Sequence, residues 1–160
     1  MLRIRSATVE DVPFLRQMIL EFATFERLAE HVTVTEEELA RDGFGERPRY
    51  RLLLPEWDGR VAGYELLYDF YSSFAGRGLF LEDIYVREEF RGKGIGKALM
   101  AEAATIALRE GYWGLRWEVL DWNQPAIDFY KKLGATFMDD CKAVRLEGDA
   151  LRRLAEDAAK

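Results

Sequence analysis

The sequence is poor in the residues that build disulfide and metal chemistry: of 160 residues one is a cysteine, Cys141, and one a histidine, His31. A lone cysteine closes no intramolecular disulfide, and one cysteine with one histidine makes no Cys/His metal cluster. No metal is therefore expected, and a reducing cytoplasm suits the chain. His31 lies in a polar stretch and reads as a surface residue, while Cys141 follows Asp139 and Asp140 and has no basic residue before it to lower a thiol pKa. Long apolar runs are also missing. None approaches the roughly 20 residues that cross a bilayer, and Met1 to Glu10 mixes charge with apolar residues instead of forming the apolar stretch of a signal peptide. A soluble, unexported protein without a membrane partner is expected. Positive charge is in deficit, with 23 Lys and Arg against 29 Asp and Glu for a net charge of −6. That balance works against a nonspecific grip on nucleic acid and favours cationic partners. The aromatics lie within apolar segments without interleaved basic runs, so they form no stacking platform for nucleic acid.

What is present suffices for one core. Hydrophobic residues make up 49% and charged residues 32%, which excludes wholesale disorder, and the length fits a single domain over residues 1–160. Leu2 to Ala7 alternates apolar and polar residues as a short strand does. Thr8 or Asp11 then caps a helix whose apolar face is Val12, Leu15, Met18, Ile19, Phe22 and Phe25. Thr35 and Glu38 form a capping-box pattern for a second helix ending before Gly43 and Gly45. Leu52 to Leu54 and Val61 to Tyr68 read as strands joined through Asp58-Gly59, and Leu79 to Val86 as a further, buried strand. A helix through Ile95, Leu99, Met100, Ala103, Ile106 and Ala107 stops at Gly111. Then come a strand at Leu115 to Leu120, a helix at Asn123 to Leu133 with Pro125 in its first turn, closing strands at Thr136 to Met138 and Ala143 to Leu146, and a terminal helix at Asp149 to Lys160. The fold class is mixed α/β.

Three constellations carry chemistry. Arg91-Gly92-Lys93-Gly94-Ile95-Gly96-Lys97 stands between a buried strand and a helix. Its glycines let the backbone approach a ligand, and the first helical N–H groups favour a phosphate. It is not a Walker loop, because Ala98 follows Lys97 and no glycine stands five residues before Gly96, and Lys97 spoils a dinucleotide fingerprint. Glu82 and Asp83 interrupt the apolar run at 79–86, where a buried carboxylate is costly unless it is paired or functional. Glu82 is read as a base or an anchor for an amine, and Asp83 as a structural partner, since adjacent strand residues point to opposite faces. In the stretch Trp122 to Tyr130, Asn123 caps a helix and Tyr130 carries a phenol able to protonate a departing thiolate.

The loop at 91–96 resembles the acyl-CoA pyrophosphate loop of the GNAT N-acetyltransferases, whose pattern is Q/R-x-x-G-x-G/A. Asp42-Gly43-Phe44-Gly45, Leu81 to Val86, and Asp121 to Ala135 resemble the diamine and polyamine N1-acetyltransferases and their thialysine-acetylating relatives, and the likeness covers nearly the whole chain. The resemblance implies a splayed mixed sheet flanked by helices, acetyl-CoA as co-substrate, a small cationic amine as acceptor and a homodimer. It implies that Ile84, Tyr85 and Val86 hold the pantetheine arm. Arg91, Gly92, Lys93, Gly94, Ile95, Gly96 and Lys97 would hold the pyrophosphate, and Asn123, Gln124, Pro125, Ala126 and Tyr130 would make further cofactor contacts. By the same likeness Tyr130 is the general acid, Glu82 binds or deprotonates the amine, and Phe25, Glu26, Arg116, Trp117 and Glu118 line the substrate site. Tyr71-Ser72-Ser73-Phe74 lacks the acid and the tryptophan of the spermine site, and Ala29 replaces a further acid, which implies smaller, amino-acid-like amines. Direct transfer in a ternary complex is expected. Two other readings stand beside it, a protein or peptide amine acetyltransferase of the same fold and a noncatalytic acyl-CoA-binding module.

Overall fold

The computed structural model describes residues 1–158, and the chain falls into two compact units, Met1–Glu118 and Val119–Lys160. The first unit holds a six-stranded mixed sheet built from β1 (Leu2–Ser6), β2 (Arg51–Trp57), β3 (Arg60–Val61), β4 (Gly63–Ser72), β5 (Gly76–Val86) and β6 (Leu115–Trp117). The order is β1-β2-β4-β5-β6, with β3 paired to β2; only β5 and β6 run parallel. Asp58 and Gly59 both take positive φ, 50° and 77°, as the two-residue turn between β2 and β3 requires.

Helix α1 (Val12–Phe25) begins after a 3₁₀ turn and buries Val12, Leu15 and Met18 against Leu52, Leu54 and Tyr64. Each such side chain contributes about 1.5–3 kcal/mol when fully buried. The Arg87 guanidinium donates to both carboxylate oxygens of Glu21, at 2.9 and 2.7 Å, and lies 4.4 Å from the Phe14 ring centre. It bolts α1 to the end of β5. Thr35 caps α2 (Glu36–Phe44) by accepting from the Glu38 amide at 3.1 Å, while Glu38 Oε2 accepts from the Thr35 amide at 2.9 Å. The helix runs through Gly43 instead of ending before it. The Tyr50 ring occupies the space a Cβ would take there, 2.4 Å away, and the Tyr50 hydroxyl donates to Leu39 O. Helix α3 (Ile95–Arg109) covers the other face of the sheet and stops at Glu110, followed by Gly111 at φ 73°.

The second unit contains α4 (Gln124–Lys132), capped by Asn123 through a 3.4 Å bond from the Ala126 amide, and α5 (Gly148–Asp157). The expected closing strands are not formed. Residues 136–146 pair with no strand, and Met138, Val144 and Leu146 are exposed, so the apolar positions there have neither a ladder nor a core to join. Residues 159 and 160 of the expected terminal helix lie outside the described residues.

Candidate active site

The site is organised by an irregularity in the β4–β5 ladder. From Gly63↔Val86 to Leu66↔Asp83 the pairing is regular, but the next pair is Leu67↔Leu81, so Glu82 is an extra residue with no partner on β4. This is a β-bulge. It changes which side chains share a face. Asp83 lies opposite Leu66 and Phe80 opposite Tyr68, both on the face that carries Tyr64 and packs against α1. Glu82 sits beside Tyr68, because its carboxylate, after burial, is what most raises the Tyr68 hydroxyl pKa. The expectation that Glu82 and Asp83 point to opposite faces is therefore corrected: the bulge turns both toward the α1 side. The expectation of a buried Glu82 is corrected as well, since Glu82 is exposed and Asp83 is the sheltered carboxylate.

Asp83 is held by a specific bond. The hydroxyl of Tyr64, fully buried in β4, donates to Asp83 Oδ2 at 2.9 Å. Burial pushes the Asp83 carboxyl up to about 6, the Tyr64 bond pulls against this, and the negative charges of Glu82 and Glu26 add to the rise. Burial also raises Glu26, which follows the last residue of α1. Tyr64 is itself pushed well above its ordinary range by burial, then by Asp83. Phe22 packs on Tyr64 and Tyr85 at centroid distances of 6.4 and 5.6 Å, which closes the apolar side of the cluster. The charges of Arg116 on β6 and of Glu118 just after it both reach Tyr68, whereas Trp117 is registered with Leu81 on the opposite face. The structure thus brings Glu26, Glu82, Arg116 and Glu118 to one face, and adds Asp83, Tyr64 and Tyr68.

Pairing between β5 and β6 covers only Leu79↔Leu115 to Leu81↔Trp117. Beyond it, residues 82–86 of β5 have a strand neighbour on the β4 side alone, so among the described residues no strand pairs with the other edge at Ile84, Tyr85 and Val86. This edge leads to the glycine loop. Gly92 and Gly94 take φ 75° and 77°, and a Cβ at either would meet nothing within 4 Å. Gly94 precedes α3 and no side chain caps the helix, which leaves the amides of Ile95, Gly96 and Lys97 without intrahelical acceptors. Lys93 and Lys97 are exposed, with Lys93 Nζ lying 5.0 Å from the centre of the Phe90 ring. Arg91 is committed in part to the protein: its Nε donates to Val86 O at 3.0 Å and its guanidinium lies 5.1 Å from the Phe25 ring centre. In the second unit, Asn123, Gln124, Pro125 and Ala126 form the start of α4, and Tyr130 is buried in the same helix.

The model of the acetyltransferase (GNAT) family matches residues 13–135. Thialysine N-epsilon-acetyltransferase of Bos taurus is 42% identical over 163 residues, covering 95% of this chain and 96% of that protein. L-ornithine N5-acetyltransferase of Arabidopsis thaliana is 33% identical over 198 residues, covering 95% and 87%. Among solved structures, an integron cassette protein from the mobile metagenome of V. cholerae superposes with a TM-score of 0.79 at 24% identity, covering 97% of this chain and 98% of that one, and shows the fold. The alternative of a noncatalytic module gives way to these relatives. The chain belongs to the GNAT acetyltransferase family and is an N-acetyltransferase, moving an acetyl group onto an amine.

Proposed function

We propose that the protein transfers acetyl from acetyl-CoA to the primary amine of a small cationic acceptor, a thialysine-like amino acid or a short diamine, within a ternary complex. The observation that carries this reading is the acidic face made by the bulge: Glu26, Glu82, Asp83 and Glu118 gather on one side of β5 and β6, and a cation is the ligand that such a surface stabilises. The names of the relatives, thialysine and ornithine acetyltransferases, support an acceptor of this size.

The residues present fit the co-substrate. The amides at the start of α3 and the loop over residues 91–97 would hold its diphosphate, and the open β5 edge at 84–86 would pair with its pantetheine arm. Backbone N–H groups near Val86 would steady the oxygen of the thioester carbonyl, and by likeness to the family Asn123, Gln124, Pro125 and Ala126 are co-substrate residues as well. Glu82, exposed at the bulge, anchors the acceptor's charge. Tyr130 supplies the proton that the departing thiolate takes up. By likeness to the family the chain works as a cytoplasmic homodimer, which sedimentation tests.

The experiment is an amine panel with acetyl-CoA and thiol release as readout: thialysine, lysine, ornithine, putrescine, spermidine and a peptide N-terminus. Highest kcat/KM on a small amine is expected. Preference for the peptide would replace this reading with that of a protein acetyltransferase.

A further inference from the structure

We infer that Asp83, gripped by the buried Tyr64, is the catalytic group that takes the proton from the incoming ammonium, while Glu82 at the exposed bulge anchors its charge. This rests on the small-amine reading above and divides between two neighbouring carboxylates what the sequence assigned to Glu82 alone.

The argument begins with access. Asp83 Oδ2 is occupied by the Tyr64 hydroxyl at 2.9 Å. A carboxylate has a second oxygen, and here Oδ1 is left to receive the proton of a ligand. Glu82 is solvated, which suits an anchor. Asp83 is part-buried and adjoins Glu82 on the face that carries Tyr64. The titratable groups facing Asp83 are Tyr64 from β4, Glu82 on its own strand and Glu26 from the end of α1. Two of these three are acids, so the negative field that helps to raise the Asp83 carboxyl also attracts an ammonium to it.

The step balances simply. One N–H bond of the ammonium breaks, its electron pair stays on nitrogen as the nucleophile, the proton bonds to Asp83 Oδ1, and it later leaves to water. An amine of pKa about 10 gives its proton to an ordinary aspartate across a gap of about 6 units. With Asp83 at about 6 the gap narrows to about 4, making the transfer roughly a hundredfold less unfavourable. The group nevertheless remains mostly ionised at neutral pH and ready to accept.

Tyr64 is a positioning residue, and it supplies the decisive control. Its bond favours the carboxylate, so Tyr64→Phe should move the acid limb of kcat, measured at saturating thialysine and acetyl-CoA, upward by about one pH unit. A structural loss would lower kcat at every pH without moving the limb. Asp83→Asn should lower kcat by about a hundredfold or more and abolish the limb, with coenzyme A affinity by calorimetry unchanged. Glu82→Gln should raise the KM for the amine and keep the limb. A carbon-13 titration of the Asp83 carboxyl in the free enzyme, reading the same pKa and the same upward move in Tyr64→Phe, checks the assignment without turnover. A wild-type acid limb that survives Asp83→Asn, or fails to move in Tyr64→Phe, overturns this inference alone. A wild type that acetylates no amine overturns the enzymatic reading and this inference with it.

Discussion

Glu65 offers a direct measure of what an unsupported charge costs this sheet. It stands in β4 between Leu53 of β2 and Ile84 of β5, on the face opposite Tyr64, and is fully buried. Neither carboxylate oxygen has a hydrogen-bond partner. Burial, and after it the charge of Glu102 on α3, push its pKa from 4.5 to about 8. A carboxyl whose folded pKa lies above its unfolded value adds stability that is fully present below the unfolded pKa and is lost as pH rises through the folded one. The window here runs from about pH 4.5 to about pH 8. A rise of about 3.5 units corresponds to about 5 kcal/mol over the whole window, of which about 3 kcal/mol is already gone at pH 7. Glu65→Gln keeps the shape and cannot ionise, so its stability relative to wild type should improve between about pH 5 and about pH 8 in urea unfolding and level off above that. Other raised carboxyls, Asp83 and Glu26 among them, bend both curves alike and cancel in the difference. Glu65→Met, which also removes the unpartnered polar atoms, should add about 1–2 kcal/mol more. Parallel curves for wild type and Glu65→Gln across this range would refute the assignment of a neutral, buried Glu65.

Two substitutions probe residues proposed to serve the co-substrate, one in each unit. At Gly94, φ 77° suits glycine and no neighbour fills the space, so Gly94→Val should cost about 1–2 kcal/mol through backbone strain alone and turn the α3 amides off their aim. A drop of tenfold or more in coenzyme A affinity by calorimetry is expected, and unchanged affinity would remove the loop from diphosphate binding. Tyr130→Phe deletes one hydroxyl from a buried ring and should lower kcat by about a hundredfold with coenzyme A affinity retained; unaltered turnover would take Tyr130 out of the reaction.

The parts of the fold that were legible in the sequence are those with a local cause. The Thr35 and Glu38 side chains satisfy backbone groups three residues apart, the Asp58-Gly59 turn depends on two φ angles, and the α1 face depends on helical spacing. The failures are nonlocal. Thr136 to Met138 and Ala143 to Leu146 carry strand-forming residues, but a strand exists only where another chain segment offers its edge. Gly43 is ordinarily a stop signal, but α2 runs through it, and the Tyr50 ring, seven residues on, fills the space a Cβ would need there. For the site, the glycine loop, Glu26, Glu82, Arg116 and Glu118 could be picked out by residue type and likeness. Asp83 reads from the sequence only as a structural partner and Tyr64 is not singled out, because what they do together depends on a bulge set by how β5 pairs with β4. Strict alternation along Leu81-Glu82-Asp83 predicts the wrong face.

Three carboxylates on two neighbouring strands show how far backbone register, more than residue type, decides their chemistry. Glu65 and Asp83 belong to adjacent pairs of the β4–β5 ladder, Glu65 opposite Ile84 and Asp83 opposite Leu66, and so they face opposite sides of the sheet. Glu65 lies between Leu53 and Ile84 and near the charge of Glu102 on α3, finds no donor, and is driven toward the neutral form. Asp83 meets the Tyr64 hydroxyl, which opposes the same burial and leaves it poised near neutrality instead of above it. Glu82, displaced by the bulge, escapes burial and stays in water. At Gly63 the Tyr85 carbonyl stands where a Cβ would be, so glycine is what lets β4 and β5 pair closely next to Tyr64. The Tyr64 to Asp83 distance is therefore set by the backbone before any ligand arrives. Preorganisation of this kind is what a proton acceptor requires, since a group that must first find its partner loses in reorganisation what it gains in basicity.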